Sequence, residues 1–167
     1  MKVKPRYDSG NGLKSTIKLV IGLGNPEPDY KNTYHNIGFL ALDYLAENPQ
    51  FSDSKFIKSD VYMNQSGDFV KKAVKKYKIK PAELMIVHDD NDIELGKYKI
   101  SFARNSAGHH GVDSIINFLG TKNFWRLRIG IGKIRKSAKK KAANLVLKKI
   151  ARSDWEILKK TFSEIKL

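Results

Sequence analysis

Polar side chains suited to acid–base chemistry occur in four separate segments of the chain. Asn25 and His35 share the first segment, Asn64 lies in the second, residues 88–92 (HDDND) form the third and residues 109–110 (HH) the fourth. An imidazole can take a proton from water near neutral pH, and a carboxylate can hold that imidazole in one tautomer. Asparagine amides can donate hydrogen bonds to a carbonyl oxygen as negative charge develops on it. These residue types together predict hydrolysis by an activated water molecule.

Other chemistries are excluded or disfavoured by motifs that the chain lacks. It has no cysteine, which excludes disulfides, thiolate zinc sites and cysteine nucleophiles. Ser66 and Ser106 stand outside any G-x-S-x-G motif, so a covalent serine intermediate is not indicated. GLGNP, at residues 22–26, is neither G-x-G-x-x-G nor a P-loop, which disfavours a dinucleotide site. The rival hypothesis is a metal site, with its ligands drawn from the aspartates and from His35, His88, His109 and His110, but HExxH and H-x-E spacings are absent.

Each candidate residue also has a purely structural interpretation. A single histidine at the start of a helix, such as His35, is more often structural than catalytic. Asp89, Asp90 and Asp92 follow an apolar run, where any one of them alone is typical of a solvated turn. The catalytic hypothesis therefore depends on whether the four segments converge in space.

The first segment combines a buried strand, a tight turn and a helix start. An apolar run over residues 17–21 predicts the strand, and Gly22, Gly24 and Pro26 predict the turn that ends it. Asn36 is a plausible N-cap for an amphipathic helix that begins near Phe39. Asn25 and His35 are thus expected in loops at the end of a strand, where α/β proteins commonly carry their chemistry.

The remaining patterns predict an α/β fold in one domain, with a central mixed, mostly parallel sheet flanked by helices. Further strands are predicted near residues 56–57, 84–87, 97–102 and 124–132, and helices after residues 67 and 111. A last helix is predicted to start at Ser153, because Ser153 and Glu156 have capping-box spacing.

Charge predicts a polyanionic partner, most simply nucleic acid. The formal net charge is +15, and the span between Asp113 and Asp154 contains no acidic residue. The alternative to a polyanionic partner is an ordinary solvated surface that is rich in lysine. No apolar run is long enough to span a membrane, so no membrane partner is predicted. Residues 1–16 are basic and contain glycine and serine, which is compatible with a flexible arm, with a remnant of expression and with a weak organelle-targeting segment.

Four motifs, taken in order, resemble those of bacterial-type peptidyl-tRNA hydrolases. They are GLGNPEPDYKNTYHNIGF, YMNQSG, ELMIVHDDNDIELGK and FWRLRIGIG, and the resemblance extends over residues 17–150. It implies a peptidyl-tRNA hydrolase-like domain over residues 17–167 and hydrolysis of the ester that joins a peptide to tRNA, without a metal or other cofactor. It also implies a catalytic His35, an orienting Asp92, and Asn25 and Asn64 as amide donors. Met63, Tyr30 and His110 are assigned with them to substrate binding.

The chain departs from the family pattern in four ways. His110 stands where a substrate-binding asparagine is expected, and residues 103–105 (ARN) replace loop glycines. Residues 51–61 are too few for the family's β-hairpin, and the family's last helix continues beyond Leu167. We therefore expect the internal hairpin and the C-terminal helix to be shortened.

These departures leave two functional hypotheses. The first is a tRNA-binding hydrolase acting as a free monomer. The alternative is a catalytically impaired homologue that binds rRNA or tRNA as a structural part of a ribosomal, mitoribosomal or other RNA–protein assembly. Both the bacterial cytoplasm and a mitochondrion or other organelle are allowed compartments. The hypotheses differ in whether replacing His35 abolishes a hydrolytic activity.

Overall fold

The computed structural model describes residues 16–49, 53–132 and 146–166, which fold around one five-stranded sheet. The strand order is β2-β1-β3-β5-β4, in which β4 and β5 are antiparallel and the other neighbours are parallel. This confirms the predicted α/β fold with a mixed, mostly parallel sheet. The strands are β1 (Leu19–Gly22), β2 (Lys55–Lys58), β3 (Leu84–Glu94), β4 (Tyr98–Phe102) and β5 (Trp125–Gly132).

Helices pack on both faces of the sheet. The described helices are α1 (Ile37–Ala46), α2 (Ser66–Lys76), α3 (His110–Leu119) and α4 (Arg152–Glu164). Side chains alternate between the faces of a strand, so β1 directs Val20 towards α1 and α4 but Leu19 and Ile21 towards α2 and α3. Each face therefore has its own apolar core, and the sheet is buried on both sides.

Close packing between α1 and the sheet fixes the start of that helix. Gly38 lies so near the sheet that a Cβ atom there would collide with the carbonyl oxygens of Leu23, which follows β1, and Val87 within β3. Glycine at this position lets the helix backbone approach the strands directly. The residues just before α1 are consequently held against the strand ends.

Three predicted boundaries need correction or refinement. β3 continues through the acidic run to Glu94, because its residues keep pairing with β5 up to Asp90 and again at Glu94 after a register shift. α4 begins at Arg152 with Ala151 as N-cap, and the Ser153 hydroxyl donates to Asp154 rather than capping the helix. Asn36 is the N-cap residue of α1 as predicted, but its side chain does not cap the helix.

Several sequence predictions lie outside the described residues. They concern the arm over residues 1–15, the basic residues 133–141 and Leu145. Among the residues that are described, no helix combines the length and apolar character that crossing a membrane would require.

Candidate active site

Asn25 and Asn36 join the turn after β1 to the start of α1. The Asn25 backbone N–H donates to Asn36 Oδ1 over 2.8 Å, and Asn36 Nδ2 donates to the Asn25 carbonyl oxygen over 2.9 Å. Both residues are buried. This pair of bonds explains why the Asn36 side chain does not cap α1, and it places His35 beside the Asn25 turn.

The Asn25 side chain is oriented by the loop that precedes α2. Its Oδ1 atom accepts a hydrogen bond from the Met63 backbone N–H over 2.9 Å. Because the amide oxygen is occupied in this way, the amide nitrogen is the end left to donate to a ligand. The same contact brings residues 62–65 alongside the Asn25 turn.

His35 is paired with Asp89, which corrects the predicted pairing with Asp92. His35 Nδ1 lies 2.9 Å from Asp89 Oδ1, and the Asp89 side chain is only 3% exposed. The resemblance assigns the orienting role to Asp92, the second aspartate of the D-x-x-D motif that starts at Asp89, whereas β3 runs through these residues and buries Asp89. Asp92 lies beyond, in the part of β3 where the register shifts, and its side chain is exposed.

His109 shares the same carboxylate oxygen as His35. His109 Nε2 lies 3.0 Å from Asp89 Oδ1, and the rings of His35 and His109 have centroids 5.2 Å apart. Sequence reasoning grouped His109 with the candidate residues but gave it no role in the pair. No spacing rule joins residues 35, 89 and 109, because they come from a turn, a strand and a helix N-cap.

The Asp89 carboxylate is stabilised as an anion. Burial alone would raise its pKa, but the attraction and hydrogen bond of His109 and the hydrogen bond of His35 outweigh burial, so the pKa lies well below its usual range. His88 is fully buried, and desolvation together with the neighbouring His109 places its pKa well below that of an exposed histidine. The site thus combines a buried carboxylate with a buried histidine that stays neutral.

Two cavities of about 410 and 440 Å³ adjoin this cluster. His35, His110 and Leu147 line both cavities, so these three residues form the ridge between the two halves of one cleft. The first half is further lined by residues 89–92 and 106–109, and the second by Asn25 and residues 62–65. His35 is therefore accessible from both halves.

The cleft has two kinds of wall, a pinned wall and an open wall, which differ in the burial and hydrogen bonding of their side chains. The pinned wall consists of buried or half-buried side chains that are hydrogen-bonded to other segments: Asn25, His35, Asp89 and His109. The open wall consists of exposed side chains: Tyr62, Asn64, His110 and Leu147.

The comparisons with known proteins agree on one family. The sequence profile of the peptidyl-tRNA hydrolase family matches residues 19–166. A peptidyl-tRNA hydrolase of Hydrogenobaculum is 40% identical over 164 residues, covering 89% of this chain and 86% of its own length. This chain belongs to the peptidyl-tRNA hydrolase family.

Other peptidyl-tRNA hydrolases show the same relationship. A relative from Synechocystis is 39% identical over 163 residues, covering 86% of this chain and 83% of the relative. The crystal structure of peptidyl-tRNA hydrolase from Acinetobacter baumannii superimposes with a TM-score of 0.78 at 30% identity, covering 89% of this chain and 84% of that protein. Both the sequence and the fold therefore match members of this family.

The cleft gathers most of the residues that the resemblance to peptidyl-tRNA hydrolases singles out. Asn25, Met63, Asn64 and His110 line the second half with His35. Tyr30 lines neither half of the cleft. It is the last residue of a short 3-10 turn (Pro28–Tyr30), and its carbonyl oxygen accepts a hydrogen bond from the Thr33 hydroxyl. Substrate roles for the residues in the cleft remain predictions.

The rival metal hypothesis has one matching cluster among the described residues. One ligand atom each from His35, Asp89 and His109 lie within 4.8 Å of one another. In the structure His35 Nδ1 and His109 Nε2 are each hydrogen-bonded to the same oxygen of Asp89. A cation bound there would have to replace both hydrogen bonds. The cluster is accounted for by these two hydrogen bonds, and the absence of a bound metal remains a prediction.

Two arginines of β5 make internal contacts near the cleft, and one of them supports the loop that carries His109. Arg126 is almost fully buried, and its Nη2 donates to the Asn105 carbonyl oxygen over 2.7 Å. Burial and the nearby Arg128, opposed by Asp90, lower the pKa of Arg126 to about 10, so it remains a cation at neutral pH. Arg128 Nε donates to Asp90 Oδ2 over 2.7 Å. Both cations are thus engaged in internal contacts at the edge of the cleft.

Proposed function

We propose that this chain hydrolyses the ester bond between peptide and tRNA in peptidyl-tRNA, with His35 as the general base. The observation that carries the proposal is the 2.9 Å contact from His35 Nδ1 to Asp89 Oδ1. A hydrogen bond donated from Nδ1 leaves Nε2 as the basic nitrogen, and the ring borders both halves of the cleft. The names of its relatives supply the substrate class.

The first step is attack of water on the ester carbonyl carbon. His35 Nε2 takes a proton from the water as its oxygen bonds to that carbon, and the carbonyl becomes a tetrahedral oxyanion. The resulting imidazolium is stabilised by the buried Asp89 carboxylate at Nδ1. Asp89 keeps its negative charge throughout, because its pKa is far below neutral pH.

The second step breaks the bond to the tRNA. The oxyanion re-forms the carbonyl, the bond to the 3′-terminal ribose oxygen breaks, and that oxygen takes the proton held on His35 Nε2. The products are a peptide carboxylic acid, which then ionises, and a tRNA with a free hydroxyl. No covalent intermediate with the protein is required.

Asn25 is the better placed of the two candidate oxyanion donors. Its amide oxygen is fixed by the Met63 N–H, so its amide nitrogen is pre-oriented before substrate arrives. Asn64 is exposed on the open wall of the same half of the cleft. We assign Asn25 to the developing oxyanion and Asn64, with Met63 and His110, to the peptide or the terminal nucleotide.

Binding of tRNA is supported by the strong positive charge of the chain. The formal net charge is +15, and phosphate contacts made by lysine and arginine weaken as salt rises. Exposed cations of the described residues include Lys71 and Lys75 on α2, Lys148, which follows Leu147 in sequence, and Arg152 at the start of α4. Lys149 differs from these, since its ammonium group donates to the carbonyl oxygens of Asp29 and Lys31.

The alternative, an RNA-binding structural component without activity, is less well supported. Its basis is the set of departures around the loop and the hairpin. The relatives named above are hydrolases, and the acid–base pair is present and buried in this chain. A bound rRNA or a ribosomal assembly has no specific observation in its favour.

Release of peptide from a peptidyl-tRNA by the purified chain tests the proposal. We expect multiple turnover by the wild-type protein and a loss of about 100-fold or more in His35→Asn, because general-base catalysis supplies that order of acceleration. The affinity of His35→Asn for uncharged tRNA serves as the control and should be unchanged. No release by a folded wild-type protein that still binds tRNA would overturn the proposal and favour the structural alternative.

A further inference from the structure

One oxygen of Asp89 receives two imidazoles. His35 Nδ1 and His109 Nε2 lie 2.9 and 3.0 Å from Asp89 Oδ1, and the two histidine side chains are 12% and 8% exposed. The general-base mechanism uses only the first of these contacts. His109 is therefore a largely buried titratable group that is hydrogen-bonded to the Asp89 carboxylate but has no role in the proposed mechanism.

The backbone of α3 fixes which nitrogen of His109 carries the proton. His109 is the N-cap of this helix, and its Nδ1 atom accepts a hydrogen bond from the Val112 N–H over 3.3 Å. An imidazole nitrogen that accepts a hydrogen bond carries no proton, so the proton lies on Nε2 and points at Asp89.

We propose that His109 is a positioning residue that competes with His35 for the Asp89 carboxylate and so limits how strongly His35 holds a proton. The proposal rests on the function proposed above. Asp89 Oδ1 divides its hydrogen-bonding capacity between two donors, His109 and the catalytic imidazole of His35. An imidazolium on His35 is consequently stabilised less than it would be by an unshared carboxylate.

This sharing has a functional consequence for proton transfer. A general base must be strong enough to take a proton from water, but it must also return that proton to the leaving oxygen. A His35 that held its proton too firmly would be blocked in its protonated form near neutral pH. By occupying part of the carboxylate, His109 keeps His35 in its basic form at lower pH.

Other charged and titratable groups around the cluster come from three elements. Rings of His88 and His109 are in edge contact with centroids 4.6 Å apart, and Arg126 of β5 acts electrostatically on His88. The groups that border the same half of the cleft are Asp90 and Asp92 of β3 and His110 of α3. Of all these, only His35 and His109 contact Asp89 Oδ1 through their side chains among the described residues.

Two substitutions of His109 separate its bond to Asp89 from its role as a helix cap. In His109→Asn the side chain remains a good N-cap for the Val112 N–H but is too short to reach Asp89. In His109→Gln the amide N–H is long enough to reach Asp89, while the amide oxygen can accept from Val112. The pair therefore differs mainly in the contact that the proposal concerns.

The measurement is the pH profile of kcat/KM for peptide release. We expect the acid limb of His109→Asn to move up by about one pH unit, the size expected when a charge-assisted hydrogen bond is lost, and that of His109→Gln to stay near wild type. An unchanged acid limb in His109→Asn, or an equal shift in both variants, would overturn the proposal.

A second readout keeps this test separate from the proposed function. The His35 ring can be titrated by NMR in the wild type, His109→Asn and His109→Gln without any substrate. If the wild type releases no peptide, the proposed function fails, yet a higher titration midpoint in His109→Asn alone would still support sharing of Asp89. The same midpoint in all three proteins would contradict it.

Discussion

The pinned wall and the open wall of the cleft differ in what holds their side chains in place. On the pinned wall, Asn25 is bonded to Asn36 and Met63, and Asp89 is bonded to two histidines. On the open wall, Leu147 is 52% and Tyr62 42% exposed, and Asn64 and His110 are also exposed. Groups that must react need a fixed geometry, whereas groups that only contact a large substrate can be ordered by it. The comparison predicts that changes to the two walls will affect different kinetic parameters.

The largest effect outside the His35–Asp89 pair is expected at Asn25 on the pinned wall. Asn25→Ala removes the proposed oxyanion donor and should lower kcat by about 100-fold or more. It also leaves the Met63 N–H without its partner, which should cost about 1 kcal/mol in the free energy of unfolding. Steady-state kinetics and chemical denaturation measure the two effects.

Gln65→Ala is the matched control for Asn25→Ala. Gln65 lines the same half of the cleft but is exposed, and we expect its kcat to stay within about twofold of wild type. Equal losses of kcat in Asn25→Ala and Gln65→Ala would remove the distinction between a pinned and an open wall.

A smaller effect, on KM rather than on kcat, is expected at Leu147 on the open wall. Leu147→Ser removes an exposed apolar side chain from the ridge between the two halves, where a substrate would cover it. Loss of partly buried apolar area should raise KM by about tenfold and leave kcat nearly unchanged. Ile157→Ser, at an exposed position of α4, is the control and should leave kcat and KM unaltered. A fall in kcat alone would contradict the contact role of Leu147.

Stability should also be sensitive to mild acid through His88, whose buried ring contacts His109 of the pinned wall. Its pKa in the folded protein is lowered, so the unfolded chain binds a proton that the folded protein does not. This contribution to stability is complete above about pH 6.5 and is lost as pH falls below that value. The depressed pKa of Asp89 has its effect only below about pH 4.

Denaturation of the wild type and of His88→Gln at pH 7, 6 and 5 measures this dependence. The variant is expected to be less stable at pH 7, since a buried ring is lost, but to show a shallower decline towards pH 5. Parallel declines in the two proteins would show that His88 is not the group responsible.

The fold was largely predictable, because periodicity and turn residues reveal each strand and helix separately. β1, for example, is visible from its apolar run and from the glycines and proline that follow it. The end of β3 was not predictable in this way. Its residues 88–90 are polar, yet they are buried by neighbours in the sheet and by His35 and His109, which come from distant parts of the chain.

The site was predictable as a set of segments but not as a set of partners. His35, Asn25 and Asn64 were identified from residue type and motif, and the structure brings them to one half of the cleft. The choice between Asp89 and Asp92 depends on which side chain β3 buries. The sequence DDND at residues 89–92 does not show which of its aspartates is buried. The bond between Asn25 and Asn36 was likewise missed, since Asn36 has the ordinary pattern of a helix cap.

The most direct test of the account compares Asp89→Asn with Asp92→Asn in the peptide-release assay. Each substitution removes one negative charge within the same half of the cleft, but only Asp89 is bonded to His35. We predict a loss of kcat of about 100-fold or more for Asp89→Asn, because the His35 imidazolium loses its counter-charge. For Asp92→Asn we predict a change in kcat within about twofold. A large loss in Asp92→Asn with nearly normal turnover in Asp89→Asn would contradict it.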